Sequence, residues 1–154
     1  MEENYVIFDC DIGNDDAWAL IMLIKAEKLL KDLALKGRRV NGAVKPFKIL
    51  GVTCVRGNTD VDNGVENALR VLDAVDRLDI PVYRGCDHSI IPPNFEHKHF
   101  HGLDGFGDVT NLPYVTKVQA RTEHAVNMMY SSVCKKEKIF HNRLVRPFRK
   151  IYVS

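Results

Sequence analysis

Apolar and polar positions along this chain fall into blocks whose spacing predicts strand, helix, strand, helix, strand. Tyr5-Val-Ile-Phe8 is β-branched, aromatic and uncharged, the pattern of a buried strand. From Asp16 the spacing becomes helical, and the helix is expected to run to about Leu35. Its first half, Ala17 to Ile24, is apolar nearly all round, which predicts burial between other elements, with Trp18 in the core. Asn14 or Asp15 stands where a helix cap belongs, Gly13 frees the turn before it, and Gly37 ends the helix. Phe47 to Val55 reads as a second strand. A second helix starts at Asp62 or Asn63 and reaches about Val75, with Val65, Ala68, Leu69 and Leu72 on one face. Ile80-Pro-Val-Tyr83 is a short third strand, and Thr122 caps a last helix from Glu123 to about Val133.

This alternation predicts an α/β fold, an open and mostly parallel sheet with helices on both faces and right-handed crossovers. Ligands in such sheets bind beyond the carboxyl ends of the strands. The turn after the first strand and the loop Arg56-Gly57-Asn58-Thr59-Asp60 after the second both lie at that edge.

Composition narrows the class. A chain of 154 residues, 45% apolar and 27% charged, is the size and kind of an ordinary globular domain. The apolar run Ala17–Ile24 is too short to cross a bilayer, so no membrane partner is expected. Met1-Glu2-Glu3 leads straight into a strand without a secretory signal. Cys10, Cys54, Cys86 and Cys134 are widely spaced, which points to reduced thiols in a cytoplasmic protein. Charge is uneven: residues 135–154 hold seven Lys/Arg against one acid, Glu137, while the rest carries 15 basic and 19 acidic residues. Residues 1–133 are read as the domain and 134–154 as a divergent basic tail. That tail contains no nucleic-acid-binding motif, so no nucleic-acid partner is expected.

The chemistry concentrates in Asp9-Cys-Asp11-Ile-Gly-Asn-Asp15-Asp16, four carboxylates at a strand end. So many like charges need a cation or protons among them, and an oxygen-only donor set suits Ca²⁺ or Mg²⁺ rather than zinc. A plain helix cap with solvated acids is the weaker reading. Asn58 taken alone is equally a turn residue after Gly57. His88, His97, His99 and His101 read as a surface cluster rather than a transition-metal site, because no Cys or carboxylate interleaves at ligand spacing. His101 is kept as a candidate substrate-loop residue.

Three segments together resemble the inosine–uridine-preferring nucleoside hydrolase family, which cleaves the N-glycosidic bond of ribonucleosides. They are Asp9-x-Asp11-x-Gly13-x-Asp15-Asp16-Ala; Val52-Thr53-x-Val55-x-Gly57-Asn58-Thr59 with Asn67-Ala68-Leu69; and His101-Gly102-Leu-Asp104-Gly105-Phe-Gly107-Asp108. Glu123-His-Ala-Val-Asn127 fits as well. The resemblance implies a Rossmann-like nucleoside hydrolase fold, one Ca²⁺ as cofactor, and a ribonucleoside substrate. By resemblance Asp11 and Asp16 would be metal ligands, and Asp11 also the base that activates water. Asp15, Asn58 and His101 would face the substrate, Asp15 and Asn58 at the ribose hydroxyls, and Asp9 would brace the site from behind.

The resemblance runs from residue 5 to about 130. The stretch 31–46 is longer and more basic than the family's connection there. The family's later motifs, a Gly-Pro-Leu-Thr-Asn-like loop, an Asn/Glu ribose segment and a late His-Asp pair, do not occur in this chain. A truncated site is therefore expected, with weakened Ca²⁺ affinity and little or no activity. The change of composition after Ser132 reads as an altered reading frame or a retained intron. A sheet edge left bare would favour homo-oligomers or aggregation. Two other functions compete: an inactive fragment that at most binds partners, and a haloacid dehalogenase-like phosphatase, whose Asp-x-Asp motif is matched by Asp9 and Asp11 but not by the residues that follow.

Overall fold

The computed structural model describes residues 4–38, 45–88 and 100–135. Residues 39–44, His97, His99 and the basic tail from residue 136 lie outside them.

Strand β1 (Asn4–Cys10) leads into helix α1 (Asn14–Leu35), strand β2 (Phe47–Cys54), helix α2 (Val61–Ala74), strand β3 (Val82–Arg84) and helix α3 (Ala125–Lys135). The strands form one parallel sheet in the order β1-β2-β3. A helical crossover carries the chain from each strand to its parallel neighbour, as parallel pairing requires. The register slips once, between Val6/Ile7 and the β2 residues facing them, so Leu50 stands as an extra residue in β2.

Side chains alternate across the sheet. Val52 and Cys54 point into a core shared with Leu20 and Ile24 of α1 and Ala68, Leu69 and Leu72 of α2. Gly51 lies on the other face, where a Cβ would stand 3.3 Å from Met128 of α3. Helices therefore cover both faces, α1 and α2 on one and α3 on the other. Among the described residues no helix is long and apolar enough to cross a membrane.

Helix ends differ from the reading of the sequence. Gly13, not Asn14 or Asp15, is the cap residue of α1, and no side chain caps that end. Asp60 caps α2 by accepting from the Asn63 backbone N–H at 2.8 Å. α3 begins at Ala125 rather than Glu123, with the His124 carbonyl accepting from the Met128 N–H. The C-terminus of α1 ends as expected: Gly37 is left-handed at φ +64°, and the Gly37 and Arg38 N–H groups close onto Ala34 and Leu33.

Trp18 is not in the core. It is 68% exposed, as is Met22, and Leu29 is exposed beside them. The sheet takes only the Leu20–Ile24–Glu27–Leu30 face of α1, so the opposite apolar stripe points outward. On α1 the buried position that an apolar pattern would not foretell is Glu27, 2% exposed. Its carboxylate accepts from the Ile49 backbone N–H (2.9 Å), Arg77 Nη1 (2.7 Å) and Lys31 Nζ (3.2 Å). Ile49 precedes the first β2–β3 pair, Val52–Val82, so Glu27 accepts from a strand N–H there.

Candidate functional site

The carboxyl ends of β1 and β2 bring the acidic turn and the Gly57-Asn58 loop together. Asp11 follows β1 directly, and Asn58 holds both of its oxygens. The Asn58 backbone N–H donates to Oδ2 and its Nδ2 donates to Oδ1, each at 3.1 Å. Gly57 is required by space. A Cβ there would overlap the Asp11 carboxyl group. Gly13 is required for the same reason and not for conformational freedom, because its backbone is ordinary extended chain (φ −91°). A Cβ on Gly13 would meet His101 Cδ2 at 2.6 Å and Asn58 Nδ2 at 2.8 Å.

The four carboxylates do not converge on one point. Asp16, in the first turn of α1, is hydrogen-bonded to Asp11. Burial first, then that bond and the charges of Asp11 and Asp15, push its carboxyl up to about 7. Two carboxyl groups can share a hydrogen bond only if one keeps a proton, so this pair is short of positive charge. Asp15 turns outward, with its Oδ1 3.4 Å from His101 Nε2. Asp9 is separate. Its Oδ1 accepts from Thr53 Oγ1 at 2.6 Å on the other side of the sheet. Burial raises the Asp9 carboxyl, the Thr53 bond opposes that, and the nearby charge of Asp11 adds to it.

Asp11, Asp16 and Asn58 are thus one contiguous unit, Asp15 and His101 a second beside it, and Asp9 a support behind β1. Asn58 is engaged with Asp11 rather than aimed at open space. Among the described residues no three His, Cys, Asp or Glu side chains group into a ligand cluster. The donor chemistry nevertheless suits a hard cation at Asp11 and Asp16, since a cation would replace the proton that the pair otherwise needs. These two would form part of an oxygen shell.

Thr53, Thr59 and Asn67 stood in the second matching segment without an assigned role, and Asn63 and Arg70 were not singled out from sequence for the site. Thr53 holds Asp9, Thr59 and Asn67 bond to the backbone of the His101 loop, and Asn63 and Arg70 donate in turn to Thr59 and Asn67. For Asn63, Asn67 and Arg70 the available signal was polar residues at helical spacing beside the apolar face of α2.

Comparison with known proteins identifies the family. The sequence profile described as inosine-uridine preferring nucleoside hydrolase matches residues 6–142. The pyrimidine-specific ribonucleoside hydrolase RihB of Escherichia coli is 30% identical over 138 residues, covering 86% of this chain and 36% of its own length. The uncharacterized Schizosaccharomyces pombe protein C17G8.02 is 32% identical over 132 residues, 85% of this chain and 34% of its own. Among solved structures, the purine-preferring ribonucleoside hydrolase from Gardnerella vaginalis aligns with TM-score 0.63 and 28% identity, over 86% of this chain and 37% of that one. The chain spans about a third of the length of these relatives. Motifs, fold and profile together place this chain in the inosine-uridine preferring nucleoside hydrolase family.

Proposed function

We propose that this chain carries the metal- and ribose-facing part of a ribonucleoside N-ribohydrolase site, and that its own turnover is slow. The observation that supports this reading most is the Asp11–Asp16 carboxyl pair, held by Asn58 at the carboxyl end of the sheet with Asp15 and His101 alongside. Asp11 is fixed by two hydrogen bonds and serves as the base that takes a proton from water. Asp15, exposed beside it, accepts hydrogen bonds from the ribose diol. Cleavage of a glycosidic bond builds positive charge on the sugar, and carboxylates held in place before reaction stabilise it. Asn58 acts first through Asp11. Ca²⁺ bound between Asp11 and Asp16 would supply the positive charge this pair lacks. The relatives named for a base differ, pyrimidine in one and purine in the other, so the proposal stops at a ribonucleoside. The four free thiols support a reducing, cytoplasmic setting.

Incubating the chain with inosine or uridine and Ca²⁺, and assaying free ribose, tests the reading. Slow release that Asp11→Asn abolishes is expected. No release above that of Asp11→Asn would sink it. A second reading, a domain that binds ribose or Ca²⁺ without turnover, is favoured by the carboxylates among the described residues, of which Asp11 and Asp16 converge and no third joins them. Stabilisation by Ca²⁺ without ribose release would select it.

A further inference from the structure

Asn67 is fully buried, at 0% exposure, yet it is an amide on the apolar face of α2. Its hydrogen bonds explain its place. Nδ2 donates to the Asp104 carbonyl at 2.7 Å, and Oδ1 accepts from Arg70 Nη1 at 2.7 Å. Arg70 Nε in turn donates to the Pro113 carbonyl at 2.9 Å. Just before α2 begins, Thr59 Oγ1 donates to the Leu103 carbonyl at 2.6 Å. Both contacts are to backbone of the loop that follows His101, so they set where the loop lies without regard to its side chains.

That loop is closed on itself. Asp108 Oδ1 accepts from the Leu103 and Asp104 N–H groups, and Asp104 Oδ1 accepts from those of Phe106 and Asp108. Gly107 N–H donates to the His101 carbonyl at 2.6 Å, tying the far end of the loop to His101 itself. Gly105, left-handed at φ +82°, sits so close to α2 that a Cβ would stand 3.0 Å from Thr59 and 3.1 Å from Asn67. A displacement at Asn67 is therefore carried by the loop to the His101 ring on Gly13.

We propose that Asn67 is the positioning residue for His101, holding its imidazole against Asp15 before any ligand arrives. The functional meaning rests on the nucleoside-hydrolase reading, in which Asp15 and His101 face the substrate. The geometry does not. The loop is a preformed wall of the site, seated by the buried Asn67 amide on α2 and the buried Thr59 hydroxyl just before it.

Two NMR readouts on the full chain without nucleoside test this, so absence of turnover leaves the result intact. The first is the response of the His101 ring resonance to Asp15→Asn, assigned with His101→Gln. The second is amide exchange at residues 103–108 relative to residues 49–54 in β2. Asn67→Asp keeps size and the Arg70 acceptor but loses the donor to Asp104. The proposal expects loop exchange to rise about tenfold or more, β2 exchange to stay, and the His101 response to Asp15→Asn to shrink severalfold. Faster loop exchange with an undiminished His101 response would reduce Asn67 to a packing role and overturn the proposal. So would unchanged loop exchange. Should Asn67→Asp fail to fold, Thr59→Val, which removes the hydroxyl bond to Leu103, decides by the same two readouts.

Discussion

Asp16 and Glu27 stand on the same helix, both turned toward the body of the protein, and their carboxyl groups are perturbed in opposite directions. Glu27 is the more buried, yet its carboxyl lies below the usual range. Burial alone would raise it, but the Ile49 N–H, Arg77 and Lys31 together outweigh that effect. Asp16 keeps contact with solvent, yet its carboxyl is raised to about 7, by burial first and then because its nearest partner is another acid. Depth alone does not mark a functional carboxylate. The mark is partial burial without a matching positive charge, and on α1 only the first turn has it among the described residues.

The largest way to sharpen this contrast is Glu27→Ala. It leaves Arg77 and the Ile49 N–H without their acceptor and is expected to cost about 2–3 kcal/mol in urea unfolding, below the full penalty of a buried pair because Arg77 is partly exposed. A loss under about 0.5 kcal/mol, the range of ordinary surface changes, would break the contrast. Gly57→Ala comes next. Its Cβ has to displace the Asp11 carboxyl, so a loss of about 1–3 kcal/mol is expected, along with any Ca²⁺-dependent rise in Tm.

Asp16→Asn should act in the opposite direction. A raised carboxyl means that the folded chain holds a proton more tightly than the unfolded one. The stabilisation from Asp16 is then present below its ordinary pKa near 3.8 and is lost as pH rises toward about 7. Removing that charge is expected to raise Tm by a few degrees at pH 8 and to flatten the fall between pH 5 and 7. Glu27 has the reverse dependence, stabilising above the ordinary glutamate range and failing as pH falls through its lowered value. A thermal melt series from pH 3 to 8 on both variants separates the two slopes.

The smallest expected effect is at Trp18. Because it is exposed, Trp18→Ser should change stability by no more than about 0.5 kcal/mol, whereas a core tryptophan would cost several times more.

These residues also show what the sequence could reveal. The strands, the α1 stop at Gly37 and the gathering of the acidic turn with the Gly57-Asn58 loop were legible from local spacing and from the edge where parallel strands end, whereas His101 was a candidate without a partner and its approach to Asp15 was not foreseen. Trp18 was misplaced because an all-round apolar helix does not say which face the sheet takes. The burial of Glu27, and that of Asn67 within its matching segment, were illegible for a related reason: their partners lie far along the chain, at Ile49 and Arg77 and at Asp104. A buried polar residue looks the same as a solvated one until those partners are known. The same holds for Gly13, whose need is the space taken by His101 and not a turn conformation.

The central claim is that Asp16 keeps a proton beside Asp11 where a hard cation would bind. Carboxyl-carbon NMR titration of the chain, with Asp16 assigned by its loss in Asp16→Asn, tests it directly. The account predicts a midpoint for Asp16 near 7, moved well down when Ca²⁺ is present. An Asp16 that titrates in the ordinary aspartate range, with or without Ca²⁺, would contradict it.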